Sequence, residues 1–557
     1  MGNIKATPPS EGAAAGGPST PRAPFGYRTF TVLWLATVLS NIGTWMHDAG
    51  AGWLMTSLSP SPVWVALVQT ATTLPVFLLA LPAGALADIV DRRRQLLVVQ
   101  CVLAIVAGTL GTVVYLGVAS PLLLLSFTFA MGVGTAVTAP AWQAIVPDLV
   151  PRDVLQQAVA TNSVGVNISR AIGPALGGYV ITVIGQAAPF LINATSYALV
   201  VAALTWWQPQ PKPARRLPPE DLLGAMVGGL RYAWHSRPLK ATLTRAAGFF
   251  LFASAYWAML PLVARKVLGG GAELYGILLG SVGVGAVLGA FALPALRRSL
   301  NPDRVVALGT LGTTLALMAF AAVRNPALAS AASFIAGASW LAVLTTLNLS
   351  VQVSLPEWVR ARGLSIFVMV FFGSMSAGSV VWGQVASHLG IPVALFAASA
   401  GALLAIPVTW RFKLQQGDSR GLAPSMHWPE PIVNATVNHD RGPVMVTIEY
   451  RIDASRVGDF VATLDQLSQA RRRDGAYAWG LFEDAAQPGR FLEYFLVMSW
   501  LEHLRQHERS TLADRDVQQQ ALAFHIGDSP PVVNHFLAPV EVRDRHDESS
   551  PLSTSAN

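Results

Sequence analysis

Charge is scarce in this sequence. Of its 557 residues, 12% are Asp, Glu, Lys or Arg and 52% are hydrophobic, whereas roughly 25% of an average soluble protein is charged. The composition therefore excludes an ordinary soluble globular protein and indicates one that crosses a membrane several times. The net charge of +7 does not indicate nucleic-acid binding, because the basic residues mostly occupy short segments between apolar runs instead of one patch on a soluble domain.

Other features that define whole classes of protein are also missing. The single cysteine, Cys101, excludes a disulfide framework, and the absence of a Walker A loop argues against a pump driven by ATP. Residues 1–24 are rich in Pro, Gly, Ala and Ser and lack the apolar core of a signal peptide. We therefore expect a disordered cytoplasmic tail there, and we predict no cofactor.

Long apolar runs fill most of the chain, and each is long enough to span a bilayer, which takes about 20 residues in a helix. They cover residues 29–57, 63–87, 95–117, 121–146, 155–183, 187–207, 240–268, 273–296, 303–323, 327–353, 360–387 and 390–410. The predicted fold is an all-α polytopic membrane protein with twelve transmembrane helices. Its two six-helix halves, 25–207 and 240–415, are joined by a polar cytoplasmic linker, 208–239, whose many prolines argue against a continuous helix for most of it.

Basic residues in the loops predict the orientation of the chain. They concentrate on the even-numbered connections and at the ends, and few fall on the odd-numbered connections. By the positive-inside rule both termini then face the cytoplasm of a cell with this protein in its inner or plasma membrane. The first group includes Arg92 to Arg94, Arg152, Arg297, Arg298, Arg304, Arg360, Arg362, Arg411 and Lys413; the second comprises Arg265, Lys266 and Arg324.

The composition changes after a second linker, 416–436. Apolar and polar residues alternate from Val444 to Ile452, as in a half-buried strand. A helix with Phe460, strands over 477–482 and 491–498, a helix over about 500–524 and a strand over 532–537 follow. The order βαββαβ predicts a small cytoplasmic α+β domain, ferredoxin-like, over 437–545. We expect residues 546–557 to be disordered.

The run from 155 to 183 combines helix-bending residues with polar ones. In lipid, small residues let helices pack backbone to backbone, and neighbouring helices satisfy the carbonyls that proline frees. Arg170 lies about 22 Å along this helix at 1.5 Å per residue, deep in a hydrocarbon core of roughly 30 Å. A guanidinium there costs at least ~2.5 kcal/mol, so Arg170 should face a polar cavity or an anionic partner. The run contains Gly165, Gly173, Pro174, Gly177 and Gly178, and also Asn162, Asn167 and Arg170.

The spacing of these small residues resembles a known motif. Gly165, seven residues and then GPxxGG from Gly173 resemble the antiporter motif in the fifth helix of drug exporters of the major facilitator superfamily. With SNIG in the first run and VDRRR after the second, the sequence is similar to the superfamily's transmembrane secretion effector, or enterobactin-exporter-like, branch. The likeness covers about residues 25–415 and implies two six-helix halves that alternate access to a central site.

A second motif follows the second apolar run. GALADIVDRRR, which begins at Gly84, resembles the superfamily's cytoplasmic signature G-x-L-x-D-x-x-G-R-K, with Gly84, Asp88, Arg92 and Arg93 at matching positions. The resemblance implies a conformational latch of the outward-open state, in which Asp88 caps a neighbouring helix and the arginines pair with acidic groups. The sequence departs from the signature at Asp91, where the motif has glycine.

An antiporter also needs a titratable group in the membrane. Asn41, Thr44 or Trp45, and Asp48 form one polar stripe along the first helix. Asp48 is a proton carrier, a source of cavity polarity that does not titrate, or an exposed residue at the membrane interface. Arg245 in the seventh run lies near enough to the start of its helix to reach the cytoplasmic surface.

The leading hypothesis is a secondary active exporter of a small amphipathic molecule, drug or siderophore-like, coupled to proton antiport. Arg170 favours an anionic substrate unless Asp48 neutralises it. One alternative is an importer of the same fold. Another is a membrane-anchored oxygenase-like enzyme, because the tail resembles antibiotic-biosynthesis monooxygenase domains. We predict no enzyme activity, no catalytic residue and no metal at the His503 and His507 pair, and we expect the tail to support a homodimer or regulation.

Overall fold

The computed structural model describes residues 23–151, 153–208, 222–415, 419–425, 427–428, 437–527 and 529–539. The expectations for residues 1–22 and 546–557, and for parts of the two linkers, lie outside these ranges. The side chain of Asp88 is also outside the description.

Six long helices form the N-terminal bundle. Proline occupies the first turn of the second, fourth and sixth helices, where its missing N–H costs little because the first amides of a helix have no intrahelical partner. The six ranges confirm the predicted runs of the first half. They are α1 (Arg28–Leu58), α2 (Pro62–Ile89), α3 (Arg92–Tyr115), α4 (Pro121–Ile145), α5 (Leu155–Val183) and α6 (Ala188–Trp206).

The second half adds a linker helix before its own six-helix bundle. Five of the six linker prolines precede residue 222, and Pro238 follows the last residue of the next helix. The apolar segment between them is free to form the helix α7, which the sequence pattern did not predict. The six helices that follow confirm the predicted runs. The ranges are α7 (Leu222–His235), α8 (Arg237–Leu262), α9 (Ala272–Ser299), α10 (Pro302–Ala322), α11 (Pro326–Val353), α12 (Glu357–Leu389) and α13 (Ile391–Thr409).

Two of the twelve long helices are less apolar than the others. Among the described residues, ten helices are long and apolar enough to cross a membrane by length and composition, and α1 and α5 are not in this group. Both are long enough, with 31 and 29 residues, but polar and small residues interrupt their apolar character. These two helices carry all the predicted transport residues.

The two bundles meet along a seam of four helices. We call the end of the bundles that carries α7 the linker end and the opposite end the distal end. Across the seam, α5 packs on α9, and α2 packs on α12. Within the N-terminal bundle, α1 packs on both α5 and α6. The helix α1 therefore lies within the N-terminal bundle, directly beside the seam helix α5.

The tail is a small α+β domain. Its antiparallel sheet has the order β2-β3-β1-β4, and its helices pack on one face. The predicted second helix is two helices, because Ser510 and Thr511 interrupt it and Thr511 starts the next helix with a capping box to Asp514. The elements are β1 (Val444–Arg451), α14 (Val457–Asp474), β2 (Ala478–Glu483), β3 (Arg490–Val497), α15 (Trp500–Arg509), α16 (Leu512–Leu522) and β4 (Val532–Leu537).

A buried carboxylate lies at the centre of the tail. Glu493 on β3 is completely buried, and it accepts hydrogen bonds from the Tyr450 hydroxyl at 3.0 Å and the Trp479 indole N–H at 3.0 Å. Arg471 on α14 donates to the same carboxylate at 3.4 Å. Three donors thus satisfy this charge, as a buried carboxylate requires, so Glu493 serves the core of the domain.

The helical layer of the tail contacts the C-terminal bundle. Glu502 on α15 accepts a hydrogen bond of 2.8 Å from Arg231 on α7. Arg509 lies over the ring of Trp358 at the start of α12, with its guanidinium carbon 4.6 Å from the ring centroid. Arg473 lies over the ring of Tyr232 on α7 at 5.6 Å. We call this set of contacts the tail dock.

Candidate transport site

The glycines of α5 lie where α5 touches α1. A side chain added at Gly173 would place its Cβ 2.5 Å from the Trp45 Cβ, and one added at Gly177 would place it 3.1 Å from the Met46 Cα. Gly165 meets Val38 in the same way at 2.7 Å. These glycines let two backbones approach each other inside the bundle.

Another set of small residues lies where α5 crosses the seam. A Cβ at Gly178 would lie 2.5 Å from the carbonyl oxygen of Ala272 and 2.9 Å from the Gly276 Cα on α9. A Cβ added at Gly276 would lie 3.0 Å from the Pro174 carbonyl oxygen. The predicted motif residues are thus divided between packing on α1 and packing on the opposite bundle.

Arg170 points toward the interior of the protein. Its guanidinium carbon lies 5.4 Å from the centroid of the Trp45 ring on α1, and Tyr256 on α8 of the other bundle is within electrostatic reach. The Arg170 Nε is buried without a hydrogen-bond partner among the described residues. The guanidinium therefore faces aromatic groups of both bundles and not lipid, and none of the described residues provides it with an anionic partner.

Asp48 lies one helical turn beyond Trp45 on α1. The described residues include no hydrogen-bond or ion-pair partner for its carboxylate, and no ion pair joins Asp48 to Arg170. The carboxylate is within electrostatic reach of Tyr197 on α6 and Tyr275 on α9. Neighbouring His47 points the other way, into the bundle, where its ring meets Phe190 edge to face at 4.8 Å. Asp48 is thus set apart from His47, as their positions on the helix predict.

The amide side chains predicted to line the site are less constrained. Asn167 is one turn from Arg170 on α5 and donates to the Ser163 carbonyl at 2.9 Å. Asn41 and Asn162 are partly exposed. Thr44, one of two alternatives for the polar stripe, instead bonds to the Tyr197 hydroxyl at 3.0 Å inside the bundle. Trp45 is therefore the residue that continues the stripe toward Asp48.

The arginines of the predicted latch bind carbonyl groups in their own bundle. Arg92 donates to the Ala144 carbonyl near the end of α4 at 3.0 Å, and Arg93 donates to the Leu204 carbonyl at the end of α6 at 2.8 Å. Cations stabilise the carbonyl ends of helices in this way. Asp91, the departure from the family signature, accepts a hydrogen bond from the Arg94 amide and caps α3. A Cβ added at Gly84 would have no neighbouring atom within 4 Å.

Polar contacts that the sequence pattern did not predict join the bundles near mid-depth and at the distal end. Thr73 on α2 bonds to Ser376 on α12 at 2.8 Å. After α8, Arg265 donates to the hydroxyls of Thr56 and Ser57 at the end of α1, at 2.9 and 2.7 Å. These residues carry no motif. Of them, only Arg265 lies on an odd-numbered connection, where its charge is an exception to the pattern of the loops.

Arg245 does not reach the surface, contrary to the expectation from its position. It is buried and pairs with Asp303 at the start of α10 at 3.2 Å. It also donates to the Phe412 carbonyl at 2.7 Å. Asp303 accepts a further hydrogen bond from the Leu414 amide at 3.1 Å. This network holds α8, α10 and the chain after α13 together and so has a structural role.

The histidine pair of the tail is buried. The Nε2 atoms of His503 and His507 are 3.2 Å apart, and the His535 ring is 4.8 Å from that of His503. Burial, with the nearby charges of His507 and His535, lowers the pKa of His503 to about 3. Burial also lowers the pKa of His507 to about 4. Among the described residues, no group of three or more His, Cys, Asp or Glu side chains could hold a metal ion.

Comparison with known proteins identifies the family. The chain is 26% identical over 357 residues to a staphyloferrin A transporter from Staphylococcus aureus (strain NCTC 8325 / PS 47). The aligned region covers 63% of this chain and 87% of that protein. It is 25% identical over 383 residues to the enterobactin exporter EntS of Escherichia coli O1:K1 / APEC, over 68% of this chain and 90% of that protein.

The fold is also that of solved transporters. An inward-facing, unoccupied crystal structure of a bacterial homologue of the human lysosomal transporter Spinster matches with a TM-score of 0.53 at 17% identity, over 71% of this chain and 95% of that one. The family model described as transmembrane secretion effector matches residues 19–544, which include the tail. This chain therefore belongs to the transmembrane secretion effector family of major facilitator transporters, and it is a multi-pass membrane transporter and not an enzyme.

Proposed function

We propose that this transporter exports a small anionic molecule of the siderophore class, in exchange for protons. Two relatives named for transport or export of siderophores support the substrate class. The cytoplasmic location of both termini is part of this proposal, because the loop charges support it. The domain boundaries predicted from the sequence are also part of the proposal. Export from the cytoplasm then requires a site that opens at the linker end.

One observation carries the proposal. Arg170 of α5 lies over the ring of Trp45 on α1, and Asp48 follows one turn beyond Trp45 along α1. This cation and this carboxylate both lack an ion-pair partner among the described residues. A charge in the membrane interior is costly when it has no partner. A substrate anion that binds Arg170 and a proton that binds Asp48 would each neutralise one of these charges. The aromatic face of Trp45 offers a surface to the planar or apolar part of an amphipathic substrate.

We infer an inward-facing state from the distribution of seam contacts. The close approaches of α5 to α9 run from Gly178 to Ala171, in the distal half of α5. On the other side of the seam, Gly383 of α12 approaches Ala66 of α2 in the distal half, and Gly373 approaches Phe77 near the middle of both helices. Tight packing at the distal end favours a pathway that is open at the linker end. In the positive-inside orientation, the linker end is the cytoplasmic end.

The predicted latch fits this state. In the outward-open state the linker end must close, so that Gly84, Asp88, Arg92 and Arg93 come against the opposite bundle. In the present state Arg92 and Arg93 bind carbonyls of α4 and α6 instead. We propose that Asp88→Asn abolishes export without lowering expression, since it removes the carboxylate that caps a helix only when the linker end closes.

Transport in everted membrane vesicles tests direction, coupling and substrate together. With a proton gradient, vesicles containing the protein should accumulate a radiolabelled catecholate or carboxylate siderophore, and those with Arg170→Gln or Asp48→Asn should not. Glu273→Gln is the matched control, because Glu273 is an exposed carboxylate in the first turn of α9. Uptake by the Arg170 or Asp48 variants at the wild-type rate contradicts the site. Loss of substrate from preloaded vesicles, instead of accumulation, would support the importer.

We also propose that the tail forms a homodimer through the free face of its sheet. The helices of the tail cover one face and contact α7 and α12. On the other face, Phe482 is 60% exposed, and Leu492 and Phe536 are 40% and 49% exposed. A second copy of the domain is the occupant that the twofold symmetry of most homo-oligomers favours. Phe482→Glu together with Phe536→Glu should convert a dimer to a monomer in light scattering of the purified protein, and a monomeric wild type would contradict this.

A further inference from the structure

A cavity lies inside the C-terminal bundle at its linker end, away from the transport site. Its volume is about 130 Å³, and its lining includes Arg297 on α9, Pro302 on α10, and Thr346, Leu349 and Ser350 on α11. This is close to the roughly 150 Å³ of an engineered protein cavity that takes up benzene. The space is therefore sufficient for a group of several heavy atoms.

Arg297 is a cation without an anion in this cavity. Its guanidinium donates to the hydroxyls of Thr345 and Thr346 at 3.3 and 3.2 Å, and its Nε is buried without a partner. Among the described residues no carboxylate lies within ion-pair distance of Arg297. Neutral hydroxyls at these lengths leave the charge of Arg297 uncompensated, and they leave donors free for an anionic ligand.

The carboxylate closest along the chain cannot serve as the missing partner. Asp303 follows Pro302 at the start of α10, but its Oδ1 is held by Arg245 at 3.2 Å and by the Leu414 amide at 3.1 Å. Arg245 and Arg297 therefore lie at the same end of one bundle, but among the described residues only Arg245 has a carboxylate partner. The void beside Arg245 is about 20 Å³, which is enough for about one water molecule.

The depth of the cavity indicates what fills it. Arg297 is the third residue from the end of α9, about 38 Å from its first residue at 1.5 Å per residue. The hydrocarbon core is ~30 Å thick and the headgroup layers extend the bilayer to ~40–45 Å. Arg297 is thus at the level of the lipid headgroups. Leu349, which lines the mouth, is 45% exposed, so the cavity has an apolar entrance beside a basic interior.

We propose that this cavity binds the phosphate of an anionic phospholipid headgroup. Arg297 would donate to the phosphate oxygens, and the hydroxyl of Thr346 would complete the contact, whereas the Ser350 hydroxyl is held by Thr242 of α8 at 2.9 Å. The apolar edge formed by Leu349 would contact the lipid's glycerol and upper acyl chain. Basic pockets between transmembrane helices on the cytoplasmic side are suited to this chemistry. The site is separate from Arg170 and goes beyond the proposed function.

Native mass spectrometry of the purified full-length transporter tests the proposal. Phosphatidylglycerol, phosphatidylcholine and inorganic phosphate are titrated separately. We expect phosphatidylglycerol to be retained most strongly, and Arg297→Gln to weaken its apparent affinity about tenfold, the size of one lost charge-assisted contact. Arg298→Gln is the matched control, because Arg298 is the adjacent arginine and is exposed. It should leave the affinity within a factor of two.

A second variant separates binding from folding. Leu349→Trp fills the mouth of the cavity from an exposed position and keeps the charge of Arg297, so it should also weaken retention of phosphatidylglycerol while melting like the wild type. Equal losses in the Arg297 and Arg298 variants would show a diffuse basic surface and overturn the proposal. Retention of inorganic phosphate with no preference for the lipid would overturn its lipid identity, and so would equal retention of phosphatidylcholine.

Discussion

The seam between the bundles and the tail dock are built from different residues. At the seam, glycine, alanine, serine and threonine bring backbones together, as Gly178 does against Ala272 and Thr73 against Ser376. At the tail dock, arginines meet carboxylates and aromatic rings. Close backbone contacts without strong ion pairs suit surfaces that separate and meet again, whereas charged contacts at partly dry sites resist separation. The comparison indicates that the tail moves with the C-terminal bundle.

The tail dock is held by one carboxylate in particular. Glu502 receives Arg231 of α7 at 2.8 Å and Arg509 of its own helix at 2.6 Å. Arg509 in turn stacks on Trp358 of α12, which is also one of the seam helices. The nearby guanidiniums hold the pKa of Glu502 below its usual value despite its partial burial. The charge is therefore maintained at neutral pH, and the dock does not depend on protonation of Glu502.

The largest expected effect comes from adding a methyl group where α5 and α9 touch at the seam. Gly178→Ala places a methyl group 2.5 Å from the Ala272 carbonyl oxygen, so the distal end cannot close as it does here, and transport should fall to background in the vesicle assay. Gly108→Ala is the control, because its methyl would meet only Ala194 at an ordinary 3.6 Å. Wild-type transport by Gly178→Ala would show that the seam tolerates separation in this state.

The two buried arginines should respond in opposite ways. Arg170→Gln should abolish transport and leave the melting temperature nearly unchanged, because no protein anion loses a partner. Arg245→Gln should lower the stability of the C-terminal bundle by about 3 kcal/mol, since it leaves a largely buried Asp303 without its partner. Thermal unfolding in detergent and transport of both variants provide the measurement. A destabilised Arg170 variant would indicate a hidden ion pair and contradict the site.

A smaller effect is expected at the tail dock. Glu502→Gln removes the charge shared by Arg231 and Arg509 and should weaken the dock by about 2 kcal/mol, after allowance for partial exposure. Faster tryptic cleavage between α13 and β1 in the full-length protein would report the release. Glu508→Gln, an exposed residue of the same helix, should cleave at the wild-type rate. Identical cleavage of all three proteins would mean that the dock is not held by this charge.

The smallest effect is the change in the stability of the tail over one pH unit. The pKa of His503 is about 3 in the folded tail and ~6.5 when unfolded. Above pH ~6.5 His503 is neutral in both states, and its full contribution to the stability of the tail is present. As the pH falls below ~6.5, the unfolded tail binds a proton at this residue and the folded tail does not, so the tail loses up to ~1.4 kcal/mol of stability per pH unit. Burial raises the pKa of Asp474 to about 6. Its contribution has the opposite sign, because it is lost as the pH rises through 6.

The histidine contribution is measurable in the intact transporter. Urea unfolding of the tail, followed with a fluorophore on Asp516→Cys in a Cys101→Ser background, should show a stability that falls from pH 6.5 to 4.5. His503→Phe should flatten this slope, and His439→Phe, at an exposed position of the tail, should not. A slope unchanged by His503→Phe would assign the acid sensitivity to other groups.

Much of the fold was predictable because helix length and residue alternation are local properties. The twelve runs and the four strands required only neighbouring residues. The helix α7 was missed because the prolines dominate the composition of the linker, although none of them lies within the helix. The interruption at Thr511 was missed because its capping box interrupts an otherwise continuous helical pattern.

The site was predictable only in part, because pairing between helices is not a local property. The depth of Arg170 and the spacing of Asn41, Trp45 and Asp48 could be derived from helix geometry. The pairing of Arg245 with Asp303 could not, since it joins two helices whose order in space the sequence does not specify. The same holds for Arg265 and the end of α1. The role of Asp88 stays a prediction.

The low apolarity of α1 and α5 has a consequence for biogenesis. A helix that is not apolar enough to enter lipid alone must be covered by a partner during synthesis, and α1 is the first of the twelve helices to leave the ribosome while α5, which covers its polar side, follows more than a hundred residues later. Until then the insertion machinery or another helix must shield α1. In a Cys101→Ser background, Trp45→Cys should therefore react with a water-soluble thiol reagent in a nascent chain arrested before residue 155, and it should be protected in one arrested after α5.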